Sequence, residues 1–192
     1  LAWLLAWFLS ARRTPLYIDF SDSPGLPFLQ GEAGADTLSD ILYYRRQSPE
    51  ADLPEADRFG RLRFIPPVVC PPDIRLTEPG EAAAVLRAYG SAGLYEALVV
   101  DIGDAVPDPL SLLKLCRRVL VPAGGTEQAR ERIQAFLRYL EGSGEKGLTE
   151  RLQQLQLPVC REAEGCRDPR LLAKSSIGAF AEKLAQEESR WI

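Results

Sequence analysis

Two short apolar runs in this 192-residue chain each stop at an aspartate: Leu16-Tyr17-Ile18-Asp19 and Ala97-Leu98-Val99-Val100-Asp101. The second continues as Ile102-Gly103-Asp104. A run with no polar alternation is a strand covered on both faces, as in a parallel sheet. An acid and a glycine turn at its end put carboxylate at the C-terminal edge of that sheet. Open α/β folds bind ligands at that edge. The expected fold is therefore α/β: a doubly wound, mostly parallel sheet flanked by helices.

The rest of the chain alternates in the same way. Residues 1–11 read as the tail of an apolar helix, with Arg12 and Arg13 at its C-terminal end. A strand covers Leu16–Phe20, and Ser21–Gly25 is a loop. Asp36 is expected to cap a helix running to Tyr44, and 47–60 to be a polar excursion. A strand follows over Arg61–Ile65, stopped by Pro66 and Pro67. A helix covers Glu81–Tyr89, ended by Gly90. Asp108-Pro109 opens another helix to about Cys116, and Arg118–Val121 is a strand. Thr126 caps a helix to about Glu141. Leu148–Leu155 is expected to be a short helix, and Gln156–Val159 an edge strand. Ile177, Phe180, Ala181, Leu184 and Ala185 stripe a terminal helix that packs on the core.

Composition excludes several function classes. The chain has no His, so Ser-His-Asp and Cys-His catalysis within it are out. A net charge of −4 lacks the basic stripe of a nucleic-acid surface. Tyr43 and Tyr44 beside Arg45 and Arg46 fit a partner or DNA contact or, more simply, a solvated helix end. Cys70, Cys116, Cys160 and Cys166 form no C-x-x-C pair, so zinc spacing is absent. With no basic region before the apolar start, a signal peptide is not indicated. Reduced thiols in a cytoplasmic protein follow. The apolar opening is too short to span a bilayer. No helix-start signal precedes Leu1, so the chain reads as beginning inside a helix, as part of a longer protein.

The order of these pieces resembles the ParA/MinD-type P-loop ATPases. LAWLLAWFLSARRTPLYIDF (1–20) resembles the helix after the phosphate loop and the strand ending in "IDFD". TLSDIL (37–42) resembles "GLSDLL", RFIPP (63–67) resembles "LRFLPP", and YEALVVD (95–101) resembles the Walker B-like "YDYVVVD". RVLVP (118–122) matches the end of "ADRVLVP", although Arg117 stands in place of its aspartate. The CpaE-like branch, associated with Tad pilus assembly, is the most similar. The likeness covers roughly 1–140, with the phosphate loop upstream of Leu1. It implies a ParA/MinD-like domain over 1–160 that lacks this loop, and a C-terminal helical appendage over 161–192. It also implies that the missing first strand is central to the sheet, so these residues alone are marginally stable.

The resemblance implies ATP and Mg²⁺ as cofactors and an ATP-dependent homodimer that localises or assembles a pilus or secretion system. Partners among pilus and secretion proteins are implied, with no nucleic acid and no transmembrane segment. The location is cytoplasmic, peripheral to the inner membrane through those partners. Asp101 would order a Mg²⁺-bound water, or else cap the loop after its strand. Asp19 would place the attacking water, or else form an Asx turn. Gly103 and Asp104 would form a nucleotide-sensing switch, or an ordinary turn. Asp108 reads as a helix cap. Ser21 replaces the second acid of the family's "D-x-D", with Asp22 displaced by one. Whether the chain is an enzyme stays open. The alternative is a non-catalytic pseudo-ATPase scaffold for protein contacts. A receiver-like signalling domain shares the topology but fits the motif order poorly.

Overall fold

The computed structural model describes residues 1–22, 34–50, 52–123, 126–160 and 169–188. The elements run α1 (Ala2–Leu9), β1 (Pro15–Phe20), α2 (Leu38–Gln47), β2 (Asp57–Phe59), β3 (Leu62–Phe64), α3 (Pro72–Arg75), α4 (Glu81–Ser91) and β4 (Ala97–Ile102). They continue with α5 (Pro109–Leu115), β5 (Val119–Ala123), α6 (Glu127–Gly142), α7 (Lys146–Thr149), β6 (Leu152–Gln156), α8 (Pro169–Leu172) and α9 (Ser176–Glu188).

β1 organises the sheet. It pairs in parallel with β3 on one edge and with β4 on the other, and every one of its residues is buried. Its alternating side chains serve two layers. Leu16, Ile18 and Phe20 join Leu38 and Ile41 of α2, Val85 and Leu86 of α4, and Leu112 of α5. Tyr17 faces the other way, into a layer with Trp3, Leu4 and Ala6 of α1 and Ala181 of α9. The apolar opening is thus a buried helix. Trp3 and Trp7 stack at 5.8 Å, and Arg61 covers the Trp7 ring at 5.5 Å. Among the described residues, no helix is long and apolar enough to cross a membrane. The terminal helix α9 packs as its stripe predicts, with Ala181, Leu184 and Ala185 buried.

The described strands form two sheets. One has the order β2-β3-β1-β4; the other is the parallel pair β5-β6. No backbone ladder joins β4 to β5. Their side chains still share layers: Val99 and Leu120 pack around Leu5, Leu9 and Leu184, while Ile102 and Val121 pack around Leu113 and Leu140. Among the described residues β4 is therefore an edge, and it is half-buried along its whole length.

Several expected elements differ. Leu148–Leu155 is not one helix: α7 is a single turn, and Leu152–Gln156 is β6, paired with β5 from Val119↔Leu152 to Ala123↔Gln156. The open backbone edge of β5 overrides the helical preference of a Leu-Gln-Gln-Leu-Gln run. The excursion over 47–60 contains β2, an antiparallel strand that turns into β3 at Gly60, where φ is +60°. A glycine suits that left-handed position. The cap of α2 is Thr37 rather than Asp36, in a capping box where Thr37 and Asp40 satisfy each other's backbone N–H. Gly90 does not end α4, which runs on to Ser91.

Candidate functional site

Asp19 and Asp101 lie side by side. The β1–β4 register pairs Tyr17 with Val99 and Asp19 with Asp101. Neighbouring strands are about 4.8 Å apart, and the period of two places both carboxylates on the α1 face. That juxtaposition comes from the parallel pairing of two runs that both stop at an acid.

Asp19 is buried, and its two oxygens have separate partners. Oδ1 accepts the backbone N–H of Ser21 at 3.0 Å and the Ser21 hydroxyl at 2.6 Å. Oδ2 accepts the Tyr17 hydroxyl at 3.3 Å. Burial pushes the Asp19 carboxyl above its ordinary value, the Ser21 bonds pull it back, and the Asp101 charge adds to the rise. Tyr17 is driven well above the usual phenol range, first by burial and then by the charges of Asp19 and Asp101.

The start of α1 closes the same spot. The chain passes from α1 through a tight turn into β1, so α1 runs back over the sheet and its N-terminal end meets the C-terminal edge. The positive end of the α1 dipole faces the same edge.

The loop after β4 docks on the loop after β1. The Gly103 N–H donates to the Phe20 carbonyl at 3.2 Å. A Cβ on Gly103 would stand 2.9 Å from the Cα and Cβ of Ser21, so no larger residue fits without a shift. Asp104 is exposed. Its charge is felt by Arg75 of α3, which pairs with Asp22 through Nε at 2.9 Å. Asp108 caps α5 by accepting the Ser111 N–H at 3.3 Å, as its position before proline predicts. The structure thus brings Asp19, Asp101, Ser21 and Gly103 together, and leaves Asp22 in an ion pair with Arg75. Tyr17 is the site residue that sequence reasoning missed. Its signal was its place two residues before Asp19, on the same face of a strand.

Among the described residues, no group of three or more His, Cys, Asp or Glu side chains could hold a metal by itself. Asp19 and Asp101 could supply part of a cation site, since a cation offsets the repulsion between two neighbouring carboxylates. Cys70 and Cys116 are free thiols, and Cys166 lies outside the described residues.

Compared as a sequence, the chain matches no protein-family model and no curated protein. Solved structures do match its fold. A ParA family ATPase from Chlorobium tepidum aligns with a TM-score of 0.71 at 16% identity, over 96% of this chain and 91% of that one. Cobyrinic acid a,c-diamide synthase from Mycobacterium smegmatis, with a bound ATP analogue and magnesium, aligns at 0.60 and 15% identity, over 98% and 88%. A plasmid partition protein from Borrelia burgdorferi bound to AMPPNP aligns at 0.58 and 15% identity, over 96% and 91%. The fold is the ParA-like P-loop NTPase fold, an α/β sheet flanked by helices.

Proposed function

We propose that this chain carries the acidic half of a Mg²⁺-nucleotide site and works as a ParA/MinD-type ATPase. The observation that carries the reading is the register-paired acids Asp19 and Asp101 beneath the start of α1, in a ParA-like fold. Two carboxylates side by side at the strand ends support a cation there. Bound Mg²⁺ supplies positive charge to the phosphate oxygens. Asp101 would hold it through a water. Asp19, fixed by Ser21, would orient the attacking water. Gly103 and Asp104 would form the loop that responds to the nucleotide, with Gly103 keeping that loop close against Ser21.

The phosphate grip would come from a glycine loop preceding Leu1. The unpaired edges of β4 and β5 support this, because a parallel strand between them would lead out at the C-terminal edge and into α1. That strand would complete the domain over 1–160. The segment over 161–192 would be its C-terminal appendage. At the finer level, TLSDIL (37–42), RFIPP (63–67) and YEALVVD (95–101) favour the CpaE-like branch. The activity would then be an ATP-dependent homodimer serving a pilus or secretion system from the cytoplasm, peripheral to the membrane through its partners.

A second reading is a scaffold that keeps the fold without turnover. Ser21 in place of an acid, with Asp22 drawn into an ion pair with Arg75, favours it. Calorimetry of Mg²⁺-dependent ATP binding on the full gene product separates the two. Micromolar binding and slow turnover, reduced about a hundredfold or more by Asp101→Ala, is the ATPase result. A well-folded protein that binds no ATP is the scaffold result.

A further inference from the structure

We propose that Tyr17 is a positioning residue for the acid pair: its hydroxyl, anchored in the layer beneath α1, holds Oδ2 of Asp19 toward Asp101. The ring is locked by packing. Tyr17 is 2% exposed and sits among Trp3, Leu4, Leu62 and Phe64. A buried phenol needs a hydrogen-bond partner, and Asp19 Oδ2 at 3.3 Å accepts from it. The two oxygens of Asp19 are thereby divided. Oδ1 is taken by the two Ser21 donors, and Oδ2 by Tyr17 alone. A carboxylate oxygen has two acceptor sites. Oδ2 therefore keeps one for a cation or its water, on the side where Asp101 lies in register.

The strand makes this arrangement. Tyr17 and Asp19 are two residues apart, so their side chains leave the same face of β1. The phenol reaches along the strand from the apolar layer to the acid at its end. Phenylalanine at this position would pack equally well and leave Oδ2 unheld. The hydroxyl serves the acid pair, and the ring serves the core.

The proposal rests on the acid pair being a cation site, and its test separates failure of that reading from failure of its own. In the full gene product, the Asp19 carboxyl carbon is followed against pH by ¹³C NMR, in the wild type and in Tyr17→Phe. Loss of a donor to the carboxylate moves the Asp19 midpoint to higher pH. The Tyr17 ring carbon that bears oxygen follows the same titration in the wild type, which needs no variant. Mn²⁺ broadening of the Asp19 and Asp101 signals then reads cation affinity, expected to fall about tenfold in Tyr17→Phe. An unchanged Asp19 midpoint in a folded variant, or a Tyr17 signal flat through the Asp19 titration, overturns the proposal. So does Mn²⁺ affinity that Tyr17→Phe leaves unaltered. Absence of Mn²⁺ binding in the wild type sinks the cation-site reading, while the titrations still decide whether Tyr17 holds Asp19.

Discussion

β1 and β4 are near-twins in sequence and neighbours in space, yet one is buried throughout and the other is half-exposed throughout. Both are short apolar strands that reach an aspartate, and they are paired residue for residue. The difference lies at their edges. β1 has a strand on either side, whereas β4 has β1 on one side and no ladder to β5 on the other. Apolar content makes a segment able to be buried; a neighbour on each edge is what buries it. The same difference separates the two acids, since Asp19 is buried under α1 while Asp101 is half-buried on the open edge.

The largest expected effect compares the two strands directly. Ile18→Ala, at a side chain with no exposure, should cost about 3 kcal/mol of unfolding free energy in a denaturant titration. Val100→Ala, its register partner on β4, should cost about 1 kcal/mol. Equal losses would mean that β4 is as well covered as β1, and would remove the open edge.

Next comes the contact that ties the two strand ends together. Gly103→Ala forces a Cβ against Ser21, and overpacking of this kind costs about 2 kcal/mol. Because Ser21 holds Oδ1 of Asp19, the same variant should also disturb the Asp19 titration. A thermal melt and a carboxyl titration unchanged from wild type would show that the two loops are not in tight contact.

The smallest effect is electrostatic. The Asp19 carboxyl is raised in the folded protein, so between its ordinary value and its raised one the native state holds more protons than the unfolded chain. Stability from this group therefore falls as pH rises through that window and recovers as pH falls. Asp19→Asn keeps an acceptor for Ser21 and removes the charge facing Asp101. It should flatten this part of the stability profile and make the protein more stable at neutral pH. A variant less stable than wild type at pH 7 would show that the Ser21 and Tyr17 bonds outweigh burial and repulsion.

Legibility followed the physics of each segment. β1 and β4 were readable because buried parallel strands are continuous apolar runs, and Thr126 and Asp108 were readable because caps are local. β2 was hidden in a polar excursion, because an edge strand needs little apolar content. β6 was hidden because its leucines stand three residues apart, a helical spacing, and only the free edge of β5 draws them into a strand. Of the site, Asp19, Asp101 and Gly103 were visible as residues. The contact of Gly103 with Ser21 and the hold of Tyr17 on Asp19 were not, since both depend on what the fold brings near.

By itself the sequence determined much of the layer pattern: the buried strands β1 and β4, the stripe of the terminal helix, and that two strands end in acid. These are matters of period, propensity and capping, decided within a few residues. Tertiary structure alone decided that β4 lies beside β1 in a register that pairs Asp19 with Asp101, and that Asp22 pairs with Arg75 instead. Strand neighbours are chosen by contacts between residues far apart in the chain, and no local signal carries them.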